Sequence, residues 1–200
     1  YNYLVRGGAG KWGPLEKKAF HRGIEKVIRK AWSGKFVLEV SGESDFAKWF
    51  AGKTLDVKFD IDAKKSGAHW KVKAFKVPKG KAKTSNVNWP NMTIQLDTED
   101  TKGEIMLEGE VGETQTPAAH EFGHAIGNTK NIPGGHGDEY KDTSQYKIHR
   151  RSIMHSGMKI KYRHADYLVS ELNKMIPQTT FSVKRRQVIG VLDVGVSGIR

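Results

Sequence analysis

Residues 118 to 140 read AAHEFGHAIGNTKNIPGGHGDEY, and side chains that ligate metals or move protons crowd into them. His120 and His124 stand four residues apart, with Glu121 between them. On a helix, four residues advance about 40° past one full turn, so both imidazoles leave the same face. That spacing suits two zinc ligands, and the H-E-x-x-H carboxylate then lies where it reaches a water on the metal without ligating it. Zinc would acidify the water and polarise a carbonyl, while Glu121 would take the proton and pass it to the leaving amine. A third protein ligand is required. The same stretch offers His136, Asp138 and Glu139, and ligand chemistry permits all three.

Helix termination agrees with a site here. Thr116-Pro117 supplies an N-cap and a first helical residue, and Gly127 falls where the chain must turn back towards a metal. Downstream, SIMHSG places Met154 among small and polar neighbours. A thioether is a poor zinc ligand, and its polarizable bulk suits packing beneath a site.

HEFGHAIG resembles the first part of the metzincin motif H-E-x-x-H-x-x-G-x-x-H/D, and SIMHSG resembles the Met-turn of those zinc peptidases. Asp138-Glu139-Tyr140 is similar to the D-x-Y with which the snapalysin-like branch closes the motif. The resemblance covers residues 116 to 175. It implies a Zn2+ cofactor held by His120, His124 and Asp138, with Glu121 as general base and Tyr140 stabilising the oxyanion. Met154 would form the floor of the site. A similar arrangement occurs in metallopeptidase toxin domains fused to spike proteins of the type VI secretion system (VgrG type). One departure matters: ten residues separate Gly127 from Asp138, where the compact motif has two. His136 is the commoner kind of third ligand, and Glu139 would serve if the loop rotated by one residue, so both stay open beside Asp138.

The elements that must position these groups follow from periodicity. Leu15, Ala19, Phe20, Ile24, Val27, Ile28, Ala31 and Trp32 recur at helical steps between Pro14 and Gly34. FVLEV (36–40), TLDVKFDID (54–62), HWKVKAFKV (69–77), NMTIQLD (91–97) and EIMLEGE (104–110) read as strands, and either of the last two could be the edge along which an extended peptide pairs. VPKGKAKTSN (77–86) reads as a loop. A C-terminal helix over HADYLVSELNKMI would bury Tyr167, Leu168, Leu172, Met175 and Ile176, and Pro177 would stop it. His164, at its start, is placed to bind substrate; His155, beside the Met-turn, is a second histidine within reach of the site.

The expected fold is therefore α+β. With the resemblance it becomes a metzincin-like zincin fold: an N-terminal helix, a twisted mixed sheet, an active-site helix, the Met-turn and a C-terminal helix. Residues 1–177 form one domain in this reading, and 178–200 a tail or hairpin.

Composition sets the outer limits. Across 200 residues, 28% are charged and 37% apolar, and no apolar run approaches the ~18 residues of a membrane span. The opening YNYLVRGGAGKWGP lacks Met and the apolar core of a signal peptide, which suggests a domain cut from a longer chain. Cysteine is absent, so thiolate sites and cysteine nucleophiles are excluded. The net charge of +12 suits an anionic cell-envelope surface or an acidic substrate; Lys147, Arg150, Arg151, Lys159, Lys161 and Arg163 would then rim the cleft.

The leading expectation is a zinc endopeptidase acting on a peptide or protein, secreted or delivered into a target cell by a larger secretion protein. A hydrolase of peptidoglycan stem peptides is the second. The third is a basic binding module stabilised by a closed four-ligand zinc; no nucleic-acid partner is expected in the leading reading.

Overall fold

The computed structural model describes residues 1–64, 66–82, 84–105, 114–133 and 135–184. Among them the chain is α+β, with four α-helices and strands in three ladders. Helix α1 (Pro14–Trp32) buries Phe20, Ile24, Ile28, Ala31 and Trp32 along one stripe, as its periodicity requires. Its start is closed by the Glu16 carboxylate, which accepts from the Gly13 amide at 2.7 Å.

The four-stranded mixed sheet has the order β1 (Asn2–Val5), β4 (Lys71–Lys76), β6 (Thr93–Asp97), β5 (Asn86–Asn88). The first three run parallel, and β5 pairs antiparallel to β6. Two expectations change here. NMTIQLD is an inner strand with both sides paired, so it offers no free edge. The edges among the described residues are β1 and β5, and β5 begins inside the stretch read as a loop. EIMLEGE contributes only β7 (Glu104–Ile105), paired with β8 (Thr114–Gln115); its remainder lies outside the described residues.

A second sheet sets β2 (Val37–Gly42) between β3 (Thr54–Asp56) and β9 (Thr179–Val183), all antiparallel. The alternating run from Thr54 forms a ladder only as far as Asp56, although Val57, Phe59 and Ile61 still pack on the main core. Strand β9 carries regular structure past the boundary expected at residue 177, and residues 185–200 lie outside the described residues. A short helix, α2 (Asp45–Trp49), is capped by Ser44 Oγ accepting from the Ala47 amide at 2.9 Å.

The main core lies between the four-stranded sheet, α1 and helix α3 (Pro117–Ala125). Trp32, fully buried, donates its indole N–H to the Ala119 carbonyl at 2.8 Å and so ties α1 to α3. After α3 the chain runs in turns through the Met154 region to a 3-10 turn (Tyr162–Ala165) and helix α4 (Asp166–Met175). The stripe expected on α4 is only partly realised. Leu172 and Ile176 pack on the second sheet's cluster, but Met175 is 73% exposed. No helix among the described residues is long and apolar enough to cross a membrane.

Candidate metal centre

Helix α3 carries His120 and His124 on one face, and backbone carbonyls fix both rings. His120 Nδ1–H donates to the Ile153 carbonyl at 2.7 Å, and His124 Nδ1–H donates to the Asn128 carbonyl at 2.6 Å. A carbonyl only accepts, so each Nδ1 carries the hydrogen and each Nε2 presents a lone pair. The two Nε2 atoms face one another at 3.1 Å. Asp138 Oδ1 completes the group, 3.0 Å from His124 Nε2 and 3.6 Å from His120 Nε2. One donor atom from each of the three lies within 4.8 Å of the others.

Two imidazole lone pairs and a carboxylate oxygen, gathered in a largely buried spot, could hold a cation between them. Without a metal that role falls to protons. Burial pulls the His124 pKa down, but the hydrogen bond to Asp138 and the charges of Glu121 and Asp138 outweigh it and raise the net value. Asp138 shows the reciprocal shift. Burial would raise its carboxyl, yet the facing rings of His120 and His124 and the Lys141 ammonium hold it far below the usual range. A donor set of two nitrogens and one oxygen fits Zn2+ in type and number, and leaves a position for a non-protein ligand.

The three residues considered for third ligand part company. His136 Nε2 donates to Asp166 Oδ2 at 3.1 Å, and its ring meets Tyr146 edge to face. Glu139 is fully buried and is engaged by partners other than the two histidines of α3. Its Oε1 accepts from Arg163 Nε at 2.7 Å and from His164 Nε2 at 3.1 Å. Burial alone would raise the Glu139 carboxyl, but these bonds and Ser152 bring it down to about 2. Glu139 opens a turn, and its engagement with Arg163 and His164 leaves Asp138 as the acid of the pair that faces the histidines.

Glu121 sits beside His120 and His124 with 7% exposure, and its Oε2 is buried without a hydrogen-bond partner among the described residues. Burial raises its pKa, with His120 and His124 opposing and Asp138 adding to the rise. An orphaned carboxylate oxygen here is chemically costly unless water, substrate or a bound ion meets it. Tyr140 is 46% exposed, and its hydroxyl is hydrogen-bonded to Asp138; burial first, and then that negative charge, raise its pKa.

Met154 is fully buried beneath α3. A Cβ added at Gly123 would collide with Met154 Sδ and lie 2.8 Å from Trp32, so the helix approaches the Met154 turn only because residue 123 has no side chain. Gln115 holds that turn from below, donating through Nε2 to the carbonyls of Ile153 and His155, each at 2.9 Å. Gly127 ends α3 with a φ of +109°, a conformation that disfavours any side chain, and a Cβ there would also strike the Tyr167 ring.

His164, expected near substrate, is placed inside the protein. It is 1% exposed, its Nδ1 accepts from the Lys161 amide at 3.1 Å, and its Nε2 serves Glu139, so it supports the loop and does not face substrate. His155 is also buried, with Nδ1 2.7 Å from Ser156 Oγ. Arg163 is spent on Glu139, and Lys147 pairs with Asp142, which thins the expected basic rim.

Three contributors escaped the sequence reading. Lys141 Nζ sits 2.7 Å from Asp138 Oδ2. Asn128 Nδ2 bonds the carbonyls of Gly123 and His164 at 3.0 and 3.1 Å. Trp89, just after β5, donates to the His124 carbonyl at 2.7 Å and holds the sheet edge over the helix. The Trp89–His124 and Asn128–His164 contacts are made by tertiary approach and leave no local mark, whereas Lys141 stands three residues from Asp138, a spacing that could have pointed to it. A separate cavity of about 730 Å³ borders the other face of α3 at Ala118, Phe122 and Ala125; His120, Glu121, His124 and Asp138 do not line it.

Comparison with known protein families, with characterised proteins and with solved structures finds no match to this chain.

Proposed function

We propose that the chain is a zinc metallopeptidase with a metzincin-like architecture, hydrolysing peptide bonds with Glu121 as general base. The observation that carries this reading is the convergence of His120, His124 and Asp138 beside a buried Glu121 carboxylate whose Oε2 has no partner among the described residues. Zinc held by the three donors supplies Lewis-acid polarisation and an acidified water. Glu121 takes a proton at its open oxygen and returns it to the leaving amine; its raised pKa moves it towards the range where a carboxyl works as both base and acid. Tyr140, half exposed beside Asp138, offers its hydroxyl to the oxyanion that develops on the attacked carbonyl. Strand β5 has no partner on its outer side among the described residues and lies against α3, which suits pairing with an extended substrate.

Met154 beneath the ligands and the run from α3 through the Met154 turn to α4 support the metzincin-like assignment. The role as an effector domain carried by a larger secretion protein rests on the motif resemblance. The test is zinc content together with hydrolysis of unfolded proteins and peptide libraries. Wild type should bind one zinc and cleave, and Glu121→Ala should keep zinc and fold but lose cleavage. A folded, zinc-loaded wild type inert on every peptide and cell-wall substrate would sink the reading.

The net charge of +12 favours a second substrate class, the stem peptides of an anionic peptidoglycan. A closed structural zinc site is less well supported, since His136 is turned to Asp166 and three donors gather among the described residues.

A further inference from the structure

The two oxygens of Asp138 have different surroundings. Oδ1 faces His124 and His120 at 3.0 and 3.6 Å, whereas Oδ2 is held by Lys141 Nζ at 2.7 Å. We propose that Lys141 is a positioning residue that confines Asp138 to ligation through one oxygen, and thereby keeps a coordination position free for a non-protein ligand. The inference rests on the metal reading above and extends it to a residue outside the donor set.

A carboxylate beside a cation can ligate through one oxygen or close on it with both. With two histidines, the second mode raises the protein donors from three to four and fills the position that a hydrolytic site leaves open. What interconverts the modes is rotation of the carboxylate, since the backbone is fixed. The Glu139 amide donates to the Met154 carbonyl at 2.8 Å. The Glu139 side chain is locked under Arg163 and His164. Gly137, on the other side, adopts a φ of +66° against Lys130. The carboxylate torsion is the remaining freedom; the ammonium on Oδ2 restrains it, alongside the Tyr140 hydroxyl that is also hydrogen-bonded to Asp138.

The arrangement also has a cost that a purely structural site would avoid. A positive charge bonded to a ligand repels the cation that the ligand is meant to hold. Lys141 is half exposed, so solvent softens that repulsion without abolishing it. The lysine gives up metal affinity and secures an open site.

The experiment compares wild type, Lys141→Met and Lys141→Arg. Each is loaded with Co2+ to read coordination number from the intensity of its visible absorption, and its zinc affinity is measured by competition with a chromophoric chelator. Lys141→Met should show weaker visible absorption, the mark of a higher coordination number, and bind zinc roughly threefold or more tightly. Lys141→Arg should stay close to wild type in both. An unchanged spectrum in Lys141→Met overturns the proposal, as does a fall in its zinc affinity. A wild type that takes up neither ion overturns the metal reading itself, and this inference falls with it; the wild-type arm alone tells the two failures apart. Thermal unfolding of the ion-free proteins shows that the half-exposed substitution leaves the fold intact.

Discussion

Asp138 and Glu139 are consecutive, yet their carboxylates engage different partners: Asp138 Oδ1 sits 3.0 Å from His124 Nε2, and Glu139 Oε1 sits 2.6 Å from Arg163 Nη2. The buried ion pair holds Glu139 away from the two histidines and leaves Asp138 facing them.

Asp138→Ala should therefore abolish tight zinc binding, whereas His136→Ala should leave it nearly intact. Removing a donor should cost more than the ~10–100-fold typical of losing an outer-shell partner. Equilibrium dialysis with metal analysis checks this, and equal losses in the two variants would contradict the assignment.

Glu121→Gln should retain zinc and thermal stability while hydrolysis falls by about 10²–10⁴-fold, the usual share of a general base. Zinc content measured on the same preparation guards against a trivial loss of metal.

Glu139→Gln leaves the Arg163 guanidinium, which is 14% exposed, without its charge partner. Breaking a buried pair from one side typically costs about 3–5 kcal/mol, which denaturant unfolding would register. The pH dependence has a definite sign. Glu139 titrates at about 2 in the folded chain and near 4.3 when unfolded, so its stabilisation is full above about 4.3 and is lost as pH falls towards 2. The variant should lack this acid limb.

Asp100 has the opposite sign. It is 1% exposed, and burial, reinforced by Asp97 and Glu121, pushes its carboxyl up to about 7 despite hydrogen bonds from Ser85 and the Asp97 amide. The unfolded group titrates near 3.9, so the folded state holds the extra proton between those values. Its contribution to stability is full below about 3.9 and is lost as pH rises through 7. Asp100→Asn can keep both accepted bonds at the same oxygen. It should flatten that slope and be more stable than wild type above pH 7 by on the order of 2–4 kcal/mol. Unfolding midpoints from pH 4 to 8 decide it.

Much of this arrangement could be read from residue order. The stripe of α1 and the H-E-x-x-H helix are periodic and end in recognisable signals, and Asp138 is the donor that keeps Tyr140 two positions on. Other features were hidden for physical reasons. Strand β5 is Asn-Val-Asn, short and polar as an exposed edge tends to be, so it carries no apolar alternation to notice. The run from Thr54 alternates through Ile61 because one side faces the core, yet alternation reports burial and not pairing, and the ladder stops at Asp56. His164 looked available because sequence does not show that Glu139, 25 residues earlier, folds back onto it.

The ten residues between Gly127 and Asp138 leave and return through fixed gates. At the exit, Asn128 clasps Gly123 and His164 while its carbonyl steadies His124. At the return, Glu139 is clamped beneath Arg163 and bonded through its amide to Met154. Between gates of this kind, doubling a loop's length adds only about 0.6 kcal/mol of closure entropy. Between Asn128 and Gly137 the span should thus behave as a cassette: its length and composition can be exchanged while His120, His124 and Asp138 stay in register, and a reporter or recognition segment inserted there should leave the candidate metal centre in place.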